Sequence, residues 1–274
     1  MKYGSLLLAL LFIGSTSWAA EPRLEWTYTT GGKIYASPLI ADLDGDGSQE
    51  IIVCASRDHR VLCLDGEGEV IWDYRLETAQ ADGVMAAPSI VDYDGDGMKE
   101  VFFLTKGGVA GCLDARGKLI WRTATGDVID YTGPVVADIN SDGRVEVVFG
   151  SDSGTLYCLD DAGMELWHYQ GDGEIRGIPA LAFHPESGTY RIYTVFADGM
   201  SACFSSTGDL LWSHMEPAPR NERRSGAAVA DLNGDGTPEV ILANEKYEVI
   251  VRNAFSGDEV WRFLKIARTY DEQI

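Results

Sequence analysis

Apolar residues in this chain come in short runs separated by clusters of Gly, Asp and Asn. In the first stretch after the leader the runs are Pro38 to Ala41, Ile51 to Ala55, Val61 to Leu64 and Val70 to Tyr74. Runs of that length, rich in Val, Ile, Leu and aromatics and bounded by turn residues, predict strands, and four in succession predict a four-stranded unit. No later stretch keeps an apolar helical period long enough for a principal helix.

The same pattern is written five times, opening at "ASPLIADLDGDGSQEIIV", "AAPSIVDYDGDGMKEVFF", "TGPVVADINSDGRVEVVF", "GIPALAFHPESGTYRIYT" and "GAAVADLNGDGTPEVILA". Each copy ends in a Gly-x-x-x-Trp phrase: Gly68 and Trp72, Gly117 and Trp121, Gly163 and Trp167, Gly208 and Trp212, Gly257 and Trp261. Two independent anchors therefore repeat in step, with units at about 29–76, 77–125, 126–171, 172–216 and 217–265. A four-stranded unit at this period predicts an all-β fold, a β-propeller in which each small sheet buries its faces against the next. A β-sandwich is the alternative, but it gives no reason for a strict repeat. Trp26 stands in a sixth Trp phrase with no loop before it, and the last unit already has its own Trp261. The expectation is that the array continues past Ile274; a five-bladed ring completed without the Trp26 segment is the other arrangement.

Residues 1–20 begin with Lys2, run through the apolar stretch Leu6 to Ile13 and end in small residues. They predict a secretory signal peptide cleaved after Ala19 or Ala20. Its apolar core is too short for a bilayer span, as is every later apolar run. With 45% hydrophobic residues and 31 glycines the chain can bury a core and supply the turns of an all-β fold. The 43 acids against 22 bases argue against nucleic acid as a partner, since phosphate binding needs clustered Lys and Arg. Cations are the natural partners.

That acidity is concentrated in one loop per unit. In the first, Asp42, Asp44 and Asp46 alternate, Gly47 follows, and Glu50 opens the next strand; the second repeats this with Asp92, Asp94, Asp96, Gly97 and Glu100. The third offers Asp138, Asn140, Asp142 and Glu146 around Gly143, and the fifth Asp231, Asn233, Asp235 and Glu239 around Gly236. Every change is to another oxygen ligand. Ca²⁺ takes about six to eight oxygens, and a tight loop can turn alternate side chains inward. Backbone carbonyls of Ser48, Met98, Arg144 and Thr237 would finish four calcium cages. A hairpin turn alone needs one Asp or Asn, not three oxygen ligands and a fourth facing them. The fourth unit has Phe183, Pro185 and Ser187 in the ligand positions and Arg191 at the acid position, so no metal is expected there. Its guanidinium is placed to fill part of a cation's space.

Cys63, Cys112, Cys158 and Cys203 each stand nine residues before a unit's Trp and read as buried small side chains. Cys54 faces Cys63 across a turn at Asp58 and His59, which leaves a disulfide open as an alternative. The repeated Trp residues read as packing between blades. His59, His168, His184 and His214 fall at unrelated points of the repeat and form no zinc or nucleophile pattern.

The "ADLDGDGxxE" loops resemble FG-GAP and VCBS repeats, in which this loop binds calcium. The phrases "CLDGEGEVIW", "CLDARGKLIW", "CLDDAGMELW" and "VRNAFSGDEVW" are similar to the quinoprotein-type (PQQ-like) propeller repeat. Together they cover almost all of residues 22–265. The resemblance implies a propeller and calcium, and it implies no catalysis. A pyrroloquinoline quinone (PQQ) pocket is not assignable from these residues, and no catalytic set is identifiable. The leading reading is a secreted or periplasmic binding or scaffold module for an unidentified protein or carbohydrate ligand. The alternative is a propeller enzyme, a quinone-dependent dehydrogenase or a calcium-dependent polysaccharide lyase. A third is a scaffold like the quinoprotein-like lipoprotein of outer-membrane biogenesis, although the leader has no lipidation Cys.

Overall fold

The computed structural model describes residues 24–56, 58–76, 83–216, 226–243 and 248–264. Residues 1–20, predicted from the sequence as a signal peptide, lie outside them. All regular structure among the described residues is β, in five four-stranded antiparallel sheets whose strands follow chain order. The first blade is built from Leu39–Ala41, Glu50–Ala55, Arg60–Leu64 and Val70–Arg75. The other four cover 89–124, 135–170, 180–215 and 228–264. Among the described residues no helix is long and apolar enough to cross a membrane.

Strand alternation explains how one blade serves two interfaces. In the second strand of blade two, Glu100–Leu104, every residue is buried. Val101 and Phe103 join a cluster with Ile52, Cys54 and Cys63 of blade one, while Phe102 and Leu104 join one with Val147 and Phe149 of blade three. Successive side chains on a strand point to opposite faces, so a continuous apolar run is what a sheet packed on both faces requires. Two further clusters join blades three to four and four to five. No cluster among the described residues joins blade five to blade one.

The Cys slot is buried in each of its four blades, and its register partner is the unit's Trp: Cys63 opposite Trp72, Cys112 opposite Trp121, Cys158 opposite Trp167, Cys203 opposite Trp212. All five cysteines are free thiols. Cys54 and Cys63 lie on neighbouring strands but not opposite each other. Cys54 pairs with Val61 and Cys63 with Ile52, which leaves the two thiols diagonal on one face. The turn that sets this register has His59 in the left-handed region at φ 53°.

Trp rings seat on glycine in the next blade. The Trp72 indole N–H donates to the Ala115 carbonyl at 3.0 Å, and a Cβ on Gly117 would lie 2.5 Å from the ring. Trp167 does the same with Ser206 and Gly208, and Trp212 with Ala254 and Gly257. Trp26 repeats the arrangement on blade one, donating to Gly66 at 2.9 Å over Gly68.

Candidate metal centres

Each acidic loop joins the first and second strands of its blade, so all four open at the same end of the array. The loop is fixed by its own side chains. In blade one, Asp42 accepts the N–H groups of Gly45 (Oδ1, 2.8 Å) and Gly47 (Oδ2, 3.1 Å), and Asp44 accepts that of Asp46 at 3.2 Å. Asp46 accepts the N–H of Ser48 at 2.6 Å. Blade two repeats these bonds with Asp92, Asp94 and Asp96, the last accepting from Met98. In blades three and five the position-seven N–H groups of Arg144 and Thr237 bond Asp142 and Asp235 in the same way. Tight curvature needs the left-handed conformation at two places, Gly45 (φ 76°) and Gly47 (φ 91°). In blade three Ser141 adopts the first of them at φ 63°.

The distal glutamate closes the loop. Glu50 opens the second strand opposite Ala41, is buried, and its Oε2 accepts the Leu43 N–H at 2.7 Å. Glu100, Glu146 and Glu239 do the same for Tyr93, Ile139 and Leu232 at 3.3, 2.9 and 2.9 Å. One carboxylate oxygen thus holds the backbone and leaves Oε1 for the loop interior. Oxygens of Asp42, Asp44 and Glu50, and likewise of Asp92, Asp94 and Asp96, lie within 4.8 Å of one another, close enough to hold a metal ion.

In blades three and five an amide occupies this interior. Asn140 Nδ2 donates to Asp142 Oδ2 at 3.0 Å and to Glu146 Oε1 at 3.1 Å. Asn233 Nδ2 donates to Asp235 Oδ2 at 2.9 Å and to Glu239 Oε1 at 3.4 Å. The N–H₂ group marks the point on which the acids converge, while each Oδ1 accepts the N–H of Asp142 or Asp235 at 2.8 Å.

Among the described residues no Lys, Arg or His makes an ion pair with a loop carboxylate. Burial, and after it Asp142 and Asp138, push the Glu146 carboxyl up to about 7 against the Ile139 hydrogen bond. Burial and the neighbouring Asp94 and Asp96 also raise Glu100. Asp46 and Asp235 shift the other way, held down by the N–H groups of Ser48 and Thr237. An all-oxygen donor set carrying unpaired negative charge fits a hard divalent cation.

The fourth blade shows what losing the ligands does. Its first two strands lengthen to Ala180–His184 and Thr189–Val195, and a short turn replaces the loop. Arg191 faces Ala182, the register position that the glutamates take in the other blades. Two features escaped the sequence pattern. Lys99 reaches from the second loop to the Asp42 carbonyl at 2.8 Å and its N–H bonds Leu43, so neighbouring loops are tied together. At the opposite end, Asp127 Oδ2 accepts four hydroxyls, from Ser151, Ser153, Thr155 and Tyr157. The alternating hydroxyls of "SDSGTLY" are its signal in the sequence.

Comparison with known proteins agrees with this architecture. Residues 105–263 match the PQQ_2 family model, described as outer membrane protein assembly factor BamB, and residues 42–103 match the FG-GAP-like repeat, which takes in the first two acidic loops. No curated protein sequence matches. Among solved structures, BamB from Moraxella catarrhalis is similar with a TM-score of 0.63 at 22% identity, over 88% of this chain and 66% of that one. The biofilm matrix protein Bap1 of V. cholerae gives 0.62 at 21% identity, over 89% and 42%. Quinohemoprotein alcohol dehydrogenase from Comamonas testosteroni gives 0.62 at 15%, over 86% and 43%. The chain spans less than two thirds of the length of each, and at these identities the likeness is one of fold. With more than half of its residues matched, the chain belongs to the PQQ_2 propeller family described as outer membrane protein assembly factor BamB, and it carries FG-GAP-like repeats.

Proposed function

We propose that this protein is an exported, calcium-stiffened β-propeller that acts as a binding or scaffold module for a protein or carbohydrate ligand. The observation that carries the reading is the set of four oxygen-lined loops opening at one end, with acids that converge and have no cationic partner among the described residues. In each, the first, third and fifth side chains, the carbonyls of Ser48, Met98, Arg144 and Thr237, and the glutamate Oε1 would hold Ca²⁺. The ion would neutralise the carboxylates and lock the hairpin; no catalytic step is assigned to it. Extracellular calcium modules bind at about 10⁻⁴ to 10⁻³ M, so at millimolar calcium each site would add about 1 kcal/mol. The family description, an assembly factor, supports a scaffold over an enzyme. The experiment is a pull-down and glycan screen run with calcium and with chelator. A ligand retained only with calcium supports the reading. Quinone-dependent dye reduction or release of unsaturated sugars would replace it with an enzyme.

A further inference from the structure

We propose that the cleft between blades two and three, toward the end away from the acidic loops, binds a sugar that carries no acidic group, with Asp127, Glu165 and His168 as its principal contacts. This rests on the reading of the chain as a binding module and narrows its ligand. The cleft has a volume of about 410 Å³ and is lined by Asp127, Ser153, Thr155, Tyr157, Glu165 and His168, among others. That volume falls in the range of about 300 to 1,000 Å³ usual for small-ligand clefts. Asp127 comes from the segment after the last strand of blade two, and the other five belong to blade three.

The repeat supplies its own control. Tyr157 stands opposite His168 in register, and Thr155 opposite Gln170. The slot of Tyr157 and His168 holds Leu62 and Asp73 in blade one, Gly111 and Arg122 in blade two, Ala202 and Ser213 in blade four, and Ile250 and Arg262 in blade five. The equivalent groove between blades one and two is lined by Tyr74, Leu76, Phe103 and Val109. In blade five Arg262 is taken up in ion pairs with Glu216 and Glu248. Packing of neighbouring blades is thus met by apolar or ion-paired residues at this place, and a local departure from what the fold requires points to a functional site.

The polar set is also unbalanced in a way that a polyhydroxyl ligand corrects. Asp127 Oδ2 meets four hydroxyls, those of Ser151 at 3.0 Å, Ser153 at 2.6 Å, Thr155 at 3.1 Å and Tyr157 at 2.8 Å. One carboxylate oxygen offers about two lone-pair sites, so about two of the four protons are left to turn elsewhere. Ser153 and Thr155 hydroxyls lie 2.9 Å apart and Thr155 is 2.9 Å from Gln170 Oε1, so these protons can be re-aimed without moving a heavy atom. Asp127 Oδ1 meanwhile accepts nothing from the described residues. Glu165 Oε1 is 2.7 Å from His168 Nδ1, which leaves Glu165 Oε2 and His168 Nε2 without partners among the described residues, on side chains 47% and 54% exposed. Each hydroxyl of a sugar donates and accepts at once, which matches bare acceptors set beside donors that can turn. Burial acts to raise the Asp127 carboxyl, but the four hydroxyls outweigh it and hold the group below the usual range, so it stays an acceptor at neutral pH. Two acids with no Lys or Arg among the lining residues repel a uronic acid or a phosphorylated sugar.

The test is saturation-transfer NMR with affinity titration of the full chain in calcium. The probes are the methyl glycosides of glucose, galactose and mannose, N-acetylglucosamine, and methyl glucuronide. The expected result is saturable binding of at least one neutral sugar, none of the glucuronide, and affinity lowered by about tenfold or more in Asp127→Asn, Glu165→Gln and His168→Ala. The last two change exposed side chains and keep the result readable where Asp127→Asn fails to fold. No neutral sugar bound, glucuronide bound as well as the neutral sugars, or affinity unchanged in Glu165→Gln and His168→Ala overturns the proposal. Bound calcium measured on the same samples separates the two readings: calcium retained without sugar binding sinks this inference alone.

Discussion

A Cβ placed on Gly117 would fall 2.5 Å from the Trp72 indole, so blades one and two meet through a residue that has no room for a side chain. Gly117 is also left-handed, at φ 76°. Gly117→Ala therefore combines overpacking with backbone strain, and it should cost about 2 to 4 kcal/mol. Urea melts of the variant and the parent check this. An unchanged midpoint would mean that the ring does not seat there in solution.

Burial makes the thiols inert. It raises the Cys54, Cys63 and Cys203 thiols to about 12, with nearby acids adding to the shift at Cys63. Cys112 and Cys158 move in the same direction for the same first reason. A thiol-reactive dye should label none of the five in the native protein and all five in denaturant without reductant. Only three labelled in denaturant would show that Cys54 and Cys63 bridge despite their diagonal register.

Glu216 gives an acid-dependent contribution. It bonds the buried Arg252 at 2.5 Å and Arg262 at 3.1 Å. Burial acts to raise its carboxyl, but the two guanidiniums outweigh that and hold it below the usual range. A depressed folded-state pKa means stability that is present above the unfolded value of about 4.3 and lost as pH falls through the folded one. Glu216→Gln leaves Arg252 with only its longer 3.8 Å ion pair to Glu259 and should cost about 1 to 3 kcal/mol at neutral pH. The gap between variant and parent should narrow as pH falls below the unfolded value of about 4.3 and vanish once pH is below the depressed folded value, as seen in paired denaturant melts at stepped pH. A gap that stays constant with pH would rule out the ion pair as its source.

The repeat made much of this architecture readable. Turn residues and apolar runs placed the strands of blade one within a residue or two, because local propensity and two-sided burial agree there. The loop ligands were legible for the same reason: Asp42, Asp44, Asp46 and Glu50 lie within one hairpin. What was not legible joins distant residues. Trp26 on Gly68 and Lys99 on Asp42 span 42 and 57 residues, and nothing local encodes them. The Cys54 and Cys63 register depended on the conformation of one turn. The hydroxyls around Asp127 come from the next blade's hairpin, so their convergence is a property of the packing.

The central claim is that the four loops bind calcium and stiffen the blades, and metal content with paired melting curves tests it most directly. Protein purified in millimolar calcium should carry up to four equivalents, with one fewer in an Asp92→Ala, Asp94→Ala variant. Chelation should lower Tm by several degrees, and added calcium should restore it. No bound calcium, or a Tm that chelation leaves unchanged, would contradict the account.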